Sequence, residues 1–310
     1  MNTEELKNYV LNNNHLISVK KSEKYPDLSV LKYKNKCFYE NIWDQYIETC
    51  RGKVVDKKFN VVVNPFEKIY NYGIEKNAPI LSDAEPIIAV RKFNGFMAAV
   101  SKYNGEVIVS TTGSLDSSYA QLARDMILSR TKENEYFEDV TTLYEIVHHS
   151  DPHIIPEKEG IYFIGQRDNQ LNSKVWYWHA LHNQWDLNKD IFENSKITDD
   201  FYESKNVYVP YLNFTTLGKL KEHVKTVKHE GFVFYTRDAK SAKIKSPYYL
   251  MAKFLARCNN TDKILKYDAK ENFPEEFYGI IDKVKEEIGI FNALNAQDRL
   301  VYIRKYFDRL

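Results

Sequence analysis

A chain of 310 residues with 43% apolar and 28% charged residues has the composition of an ordinary folded protein, long enough for one large domain or two unequal ones. Its formal charge of +1 gives no global basic field, so any nucleic-acid surface must be a local patch. Three scattered cysteines, Cys37, Cys50 and Cys258, make no disulfide framework or zinc cluster and fit a reducing compartment, and with no signal-peptide pattern and no apolar run of about 18 residues a cytoplasmic protein without a membrane span is expected.

Residues 1–16 read as a short polar helix, followed by a polar stretch with a turn at Tyr25-Pro26-Asp27. From Cys50 to about Leu250 the pattern is one of short strands broken by Asn, Gly, Asp and Pro. Strands are expected at Val54–Val55, Val61–Val63, Ile87–Val90, Phe96–Val100, Val107–Ser110, Leu143–Val147, Ile161–Ile164, Val175–Trp178 and Phe232–Tyr235, with helices at Ser118–Leu128 and Leu217–Val227. A chain with 23 Tyr and 17 Phe suits such sheets and has rings to spare for stacking on bases. After Pro247 the texture becomes helical, at Leu250–Ala256, Glu275–Ile288 and Ala296–Phe307. The fold class is therefore α+β with a small helical C-terminal part.

Several positions along this pattern carry chemistry. Lys92 precedes Asn94-Gly95, a pair suited to a tight turn between the strands Ile87–Val90 and Phe96–Val100. Such a turn does not account for a lysine at its mouth, which is either solvated or a nucleophile. Glu145 shares a strand face with Leu143 and Val147, and a carboxylate there needs a partner unless the strand lies at an edge. Glu230 is either a turn glutamate or a group brought close to a ligand by Gly231. Lys243 and Lys245 in "AKIKSPYYL" fall on one face, about 7 Å apart along the strand. They repel unless an anion such as a polyphosphate joins them, or they are the lysines of a solvated edge strand. Arg51 in "CRGKVVD" and Lys68 in "NPFEKIYNYG" would be ignored alone. His148, His149, Asp151 and His153 read as a polar loop, since their spacing fits no standard metal site.

Taken in order, "RGKVVD", "NPFEKIYNYG", "KFNG", "STTGS", "EGFVF" and "KIKSPYYL" resemble the motifs of the covalent nucleotidyltransferases, most closely the phage RNA ligases of the T4 RNA ligase 1 type. The resemblance implies an ATP-grasp-like ligase domain of antiparallel sheets with flanking helices over residues 1–248 and a helical domain over 249–310. It implies that Lys92 takes AMP from ATP, that Arg51 and Lys68 are the upstream basic residues of the site, and that Asn94 and Gly95 belong to the nucleotide-binding motif. Glu145 would meet the ribose, Glu230 the metal and the lysine, and Lys243 and Lys245 the phosphates. "IYFIGQR", Ile161 to Arg167, resembles the strand that walls the adenine pocket. The implied cofactors are ATP and Mg²⁺, with Mn²⁺ as a substitute; the implied partner is RNA with 5′-phosphate and 3′-hydroxyl ends, and the implied state is a monomer. Two positions depart from the pattern. Asn94 stands where Asp is usual, as it does in fungal tRNA ligases, and Thr112 stands where close relatives often place a lysine.

The physical chemistry agrees with that implication. A nucleophilic lysine must be neutral, yet with a pKa of about 10.4 only about one in 10³ to 10⁴ is ready at pH 7. Neighbouring cations such as Lys68, Lys243 and Lys245 would lower that pKa and stabilise a leaving pyrophosphate. DNA ligases and mRNA-capping guanylyltransferases use the same lysine chemistry, but they generally carry an OB-fold where helices are expected here. A relative that only binds RNA would show Asn94 and Thr112 as decay, which the retained Lys92, Glu230, Lys243 and Lys245 argue against. No G-x-x-x-x-G-K-[ST] run marks a fused kinase. In the C-terminal helices Lys253, Arg257, Lys263 and Lys266 could meet an RNA backbone.

Overall fold

The computed structural model describes residues 2–151, 153–171, 192, 196–257, 264–266 and 269–307. The chain opens with helix α1 (Thr3–Asn12), where Asn2 and Glu5 form a reciprocal capping box and Leu6 and Val10, one turn apart, are buried. Strands β1 (Ile17–Lys21) and β2 (Ser29–Tyr33) follow, then α2 (Lys36–Tyr39) and α3 (Gln45–Thr49), the latter capped by the Asp44 carboxylate. Next come β3 (Arg51–Val55), β4 (Val61–Val63), β5 (Tyr70–Asn71), β6 (Pro86–Lys92), β7 (Phe96–Tyr103), β8 (Glu106–Thr111), α4 (Ser118–Leu128), β9 (Val140–Val147) and β10 (Gly160–Asp168). Strands β11 (Phe201–Ser204), β12 (Val207–Pro210) and β13 (Leu212–Thr216) lead to a helix at Leu217–Val224, and β14 (Gly231–Thr236) and β15 (Ser241–Lys245) close the sheet region.

The strands make three sheets, ordered β1-β2-β3-β4, β11-β12-β10-β9-β7-β8 and β13-β6-β14-β15-β5. Among the described residues the pairings are antiparallel except β10 with β12 and β15 with β5. One face of the six-stranded sheet packs on the four-stranded one through Val54, Val63, Phe66, Ile108 and Leu143. Its other face takes Ala123, Met126 and Ile127 of α4 against Val100, Tyr144 and Ile146. Residues alternate across β9, so Leu143 faces one layer and Tyr144 and Ile146 the other. The helix Leu217–Val224 covers Ile87, Ala89, Phe232 and Phe234 of the five-stranded sheet.

The expected strands at 54–55, 61–63, 87–90, 96–100, 107–110, 143–147, 161–164 and 232–235 lie within these elements, and the one expected at 175–178 falls outside the described residues. The turn at Tyr25 closes with the Leu28 N–H donating to the Tyr25 carbonyl at 2.8 Å. Two sequence expectations need correction. The polar stretch after residue 16 contains the hairpin β1–β2, whose first strand leaves Val19, Lys20 and Lys21 exposed and so shows little apolar signal. Asn94-Gly95 is not a hairpin turn. Strand β6 pairs with β13 and β14 while β7 pairs with β8 and β9, so the segment after Lys92 passes from one sheet to another. Neither residue adopts the positive φ that a type I′ turn requires.

From Pro247 the described residues are helical, with segments at Pro247–Arg257, Ala269–Asn272, Tyr278–Glu286, Ile288–Ala293 and Ala296–Phe307 and a 3₁₀ turn at Glu275–Phe277. They contain no strand, hence no OB-fold among the described residues. Leu250, Phe254, Phe277, Ile281, Phe291 and Phe307 form an apolar cluster of their own. Lys266 is exposed, and Lys263 lies outside the described residues. No described helix is long and apolar enough to cross a membrane.

Candidate active site

The register of the five-stranded sheet assembles the site. Gly231 on β14 pairs with Lys92 on β6 on one side and with Lys245 on β15 on the other. Glu230, one residue earlier, therefore stands between the two lysines. Its carboxylate lies 3.1 Å from the Lys92 ammonium and 3.5 Å from that of Lys245. Burial works against the Glu230 charge, but Lys92, Lys245 and Lys253 outweigh it and hold the carboxyl below its ordinary range. Glu230 is an anion clasped by cations.

Glu145 reaches the same region from the six-stranded sheet, its Oε1 accepting from the Gly95 N–H at 3.1 Å. It is buried in a central strand, not at an edge, and burial raises its pKa despite the opposing charge of Lys92. Gly95 is required by contact: a Cβ there would collide with the Ile146 carbonyl oxygen on β9. Asn94 is buried beside it, with its Nδ2 3.4 Å from the Ile155 carbonyl oxygen.

Lys92, Glu145, Arg51 and Lys243 share a cleft whose remaining wall is largely apolar, including Phe66, Ile69, Ile164 and Tyr235. Ile164 belongs to β10, the "IYFIGQR" strand. Arg51 opens β3 with its Nη1 3.8 Å from Met97 Sδ. The next residue, Gly52, has a φ of +89° and lies against the backbone of Thr112, leaving no room for a side chain.

The two lysines of β15 differ. Lys243 is pushed down to about 8 by burial and by the neighbouring Lys245. Lys245 is raised, because Glu276 and Glu230 overcome its burial. Neither lies on an edge strand, since β15 pairs with β14 and β5. Lys68 does not line the cleft. It is buried among the rings of Phe38, Trp43 and Tyr70 at 4.8, 4.3 and 4.7 Å, and donates to Glu75 at 2.6 Å.

Sequence reasoning missed a set of partners. Glu276, from the 3₁₀ turn, accepts from Lys245 and from Lys253, each at 2.7 Å. Glu275 accepts from Lys68 at 3.1 Å and lies 3.6 Å from Lys243. Lys253, expected to face RNA, is instead held by Glu276. Nothing in "NFPEEF" points to lysines that precede it by 23 to 207 residues. The histidine loop divides into two groups: His148 and His149 converge on Glu159, and His153 pairs with Asp151 at 2.8 Å.

The donor set fits the implied ligands. A largely apolar slot that Arg51, Lys92 and Lys243 also line suits a base joined to phosphates. Glu230 offers a hard oxygen beside Lys92, and Mg²⁺ is commonly held by one or two carboxylates together with substrate phosphates.

Comparison with known proteins agrees with this geometry. Residues 49–256 match the family model described as RNA ligase. A candidate bifunctional polynucleotide kinase/RNA ligase of Autographa californica nuclear polyhedrosis virus is 23% identical over 273 residues, covering 77% of this chain and 35% of that protein. The chain thus spans about a third of the length of this curated relative. Among solved structures, an archaeal ATP-dependent RNA ligase superposes with a TM-score of 0.53 at 13% identity, covering 99% of this chain and 75% of that one. A candidate ATP-dependent DNA ligase from Aquifex aeolicus gives 0.56 at 15% identity, with 98% and 78% covered. These likenesses show the fold: a mixed α+β ligase architecture.

Proposed function

The chain belongs to the RNA ligase family, and on that premise we propose that it joins RNA ends at the expense of ATP through AMP held covalently on Lys92. The observation that carries this reading is the Lys92 ammonium in a largely apolar cleft, 3.1 Å from the buried Glu230 carboxylate. The remaining roles follow from position. Lys92, once neutral, attacks the α-phosphorus of ATP; an N–P bond forms, the P–O bond to pyrophosphate breaks, and the leaving oxygen keeps the electron pair. Lys243 and Lys245 neutralise that leaving charge from β15. Glu145 offers a carboxylate to the ribose, and Arg51 a further cation at the cleft. Mg²⁺, or Mn²⁺ in its place, would be held by Glu230 and would supply charge neutralisation at the phosphates. AMP then passes to an RNA 5′-phosphate, and a 3′-hydroxyl displaces it to form the phosphodiester.

Residues 1–248 act in this proposal as the adenylyltransferase domain and 249–310 as a helical domain, a division supported by the separate apolar cluster of the C-terminal helices. In this reading the protein works as a monomer, and in the cytoplasm, a compartment that the buried free thiols of Cys37 and Cys50 fit. The test is incubation of the full chain with Mg²⁺ and either α-labelled ATP or α-labelled GTP, followed by a denaturing gel and intact-mass measurement. One AMP should be gained on Lys92, and Lys92→Ala should lose it while remaining folded. An adduct on another lysine, or label taken from GTP in preference to ATP, would overturn the assignment.

A further inference from the structure

Four lysines, Lys68, Lys243, Lys245 and Lys253, converge on two consecutive glutamates of the C-terminal helical region. Glu276 is 4% exposed, and Lys245, Lys253 and Lys243 overcome its burial to hold it well below the ordinary carboxylate range. Asn71 Nδ2 also donates to Glu275, at 3.2 Å. The two carboxylates thus sit where a chain of phosphates would have to lie if Lys243 and Lys245 are to grip it. The Glu pair and a polyphosphate cannot share these ammoniums, because like charges this close in a buried site repel strongly. One anion must leave before the other is held.

We propose that Glu275-Glu276 is an internal stand-in for the polyphosphate, seated on the lysines at rest and displaced when a nucleotide triphosphate enters, and that Lys253 is a further cation of the site so exposed. This rests on reading the lysine cluster as the phosphate site. The geometry favours an exchangeable contact. The pair lies on a single 3₁₀ turn, Glu275–Phe277, and its anchor on the far side is the apolar cluster around Phe277. Phosphates can replace the carboxylates on Lys243, Lys245 and Lys253, and Lys68 keeps Glu75 at 2.6 Å, so the exchange leaves no buried ammonium without a partner. A stand-in of this kind lowers apparent affinity by the fraction of molecules in which the lysines are free.

The probe is inorganic tripolyphosphate, titrated by calorimetry into the full chain at fixed ionic strength. Glu275→Gln/Glu276→Gln should bind it about tenfold tighter than the unaltered protein, the factor expected if about nine molecules in ten rest with the carboxylates seated. Glu271→Gln/Asp282→Asn removes the same charge from exposed positions nearby and should change binding by less than about twofold, since exposed charges are screened. As a second measurement on the unaltered chain, saturating tripolyphosphate should speed amide hydrogen exchange across residues 273–278. Equal or weaker binding by the double variant, or unchanged exchange in that segment, overturns the stand-in. Absence of tripolyphosphate binding from both proteins overturns the phosphate site itself, and with it this proposal.

Discussion

Gly231 stands directly opposite Lys92 across the β6–β14 ladder, and this pairing sets Glu230 beside the ammonium. Gly231 has a φ of +132°, and a Cβ there would collide with the Ile244 carbonyl oxygen on β15. Gly231→Ala should therefore spread β14 from β15, costing about 1–3 kcal/mol of stability. A thermal melt and a Lys92–AMP assay would check it; an unchanged melting temperature with full adenylation would show that the strands tolerate the methyl group.

Glu230 neutralises two ammoniums at once. Glu230→Gln keeps its shape and removes its charge, so adenylate formation should fall about 10- to 100-fold, the equivalent of about 1.5–3 kcal/mol for a charge-assisted contact. Single-turnover kinetics with labelled ATP would measure the loss, and a change of less than about twofold would show that the carboxylate serves packing alone.

Asn94 suits its surroundings as an amide. Its Nδ2 faces the Ile155 carbonyl oxygen, and a carboxylate there would set oxygen against oxygen in a buried site. Asn94→Asp should lower the melting temperature and leave adenylation equal or reduced. A large rise in adenylation would instead mean that the usual Asp is the better residue here.

The lowered pKa of Lys243 gives a pH signature with a definite sign. A lysine whose pKa is pushed down to about 8 is charged below that value and neutral above it. Tripolyphosphate binding should hold to about pH 8 and then weaken by up to about tenfold per unit as the proton is lost. Lys243→Arg keeps its charge throughout and should flatten the profile over the same range. Equal slopes for both proteins would assign the titration to another group.

Much of the site was legible because its residues lie in short motifs with a local physical cost. Lys92, Glu145, Lys243 and Lys245 are charged groups on apolar strands and Glu230 directly precedes one, which is uncommon without a partner, and the structure supplies those partners. Central β strands announced themselves by β-branched runs, whereas β1, with three exposed residues of five, did not. Lys68 was visible as a basic residue, but not its box of Phe38, Trp43 and Tyr70, which is assembled from separate segments. Glu275 and Glu276 gave no signal because their meaning lies in lysines from other elements, and periodicity within a segment carries no information about such contacts.

The partners of β6 have a consequence for how the protein is made. Among the described residues this strand, which carries Lys92, pairs with β13 and β14 of the five-stranded sheet, residues that follow it by more than 100 positions. During synthesis the four-stranded sheet can form from nearby segments, while β6 waits for β13 and then β14 to emerge. Loop closure over such a separation is slow, and an unpaired apolar strand such as Ile87-Ile88-Ala89-Val90 is open to wrong partners in the interval. Fragments released before β14 is made would hold the lysine on a strand with no β14 neighbour and without Glu230. Lys92 is among the last parts of the sheet region to gain its neighbours.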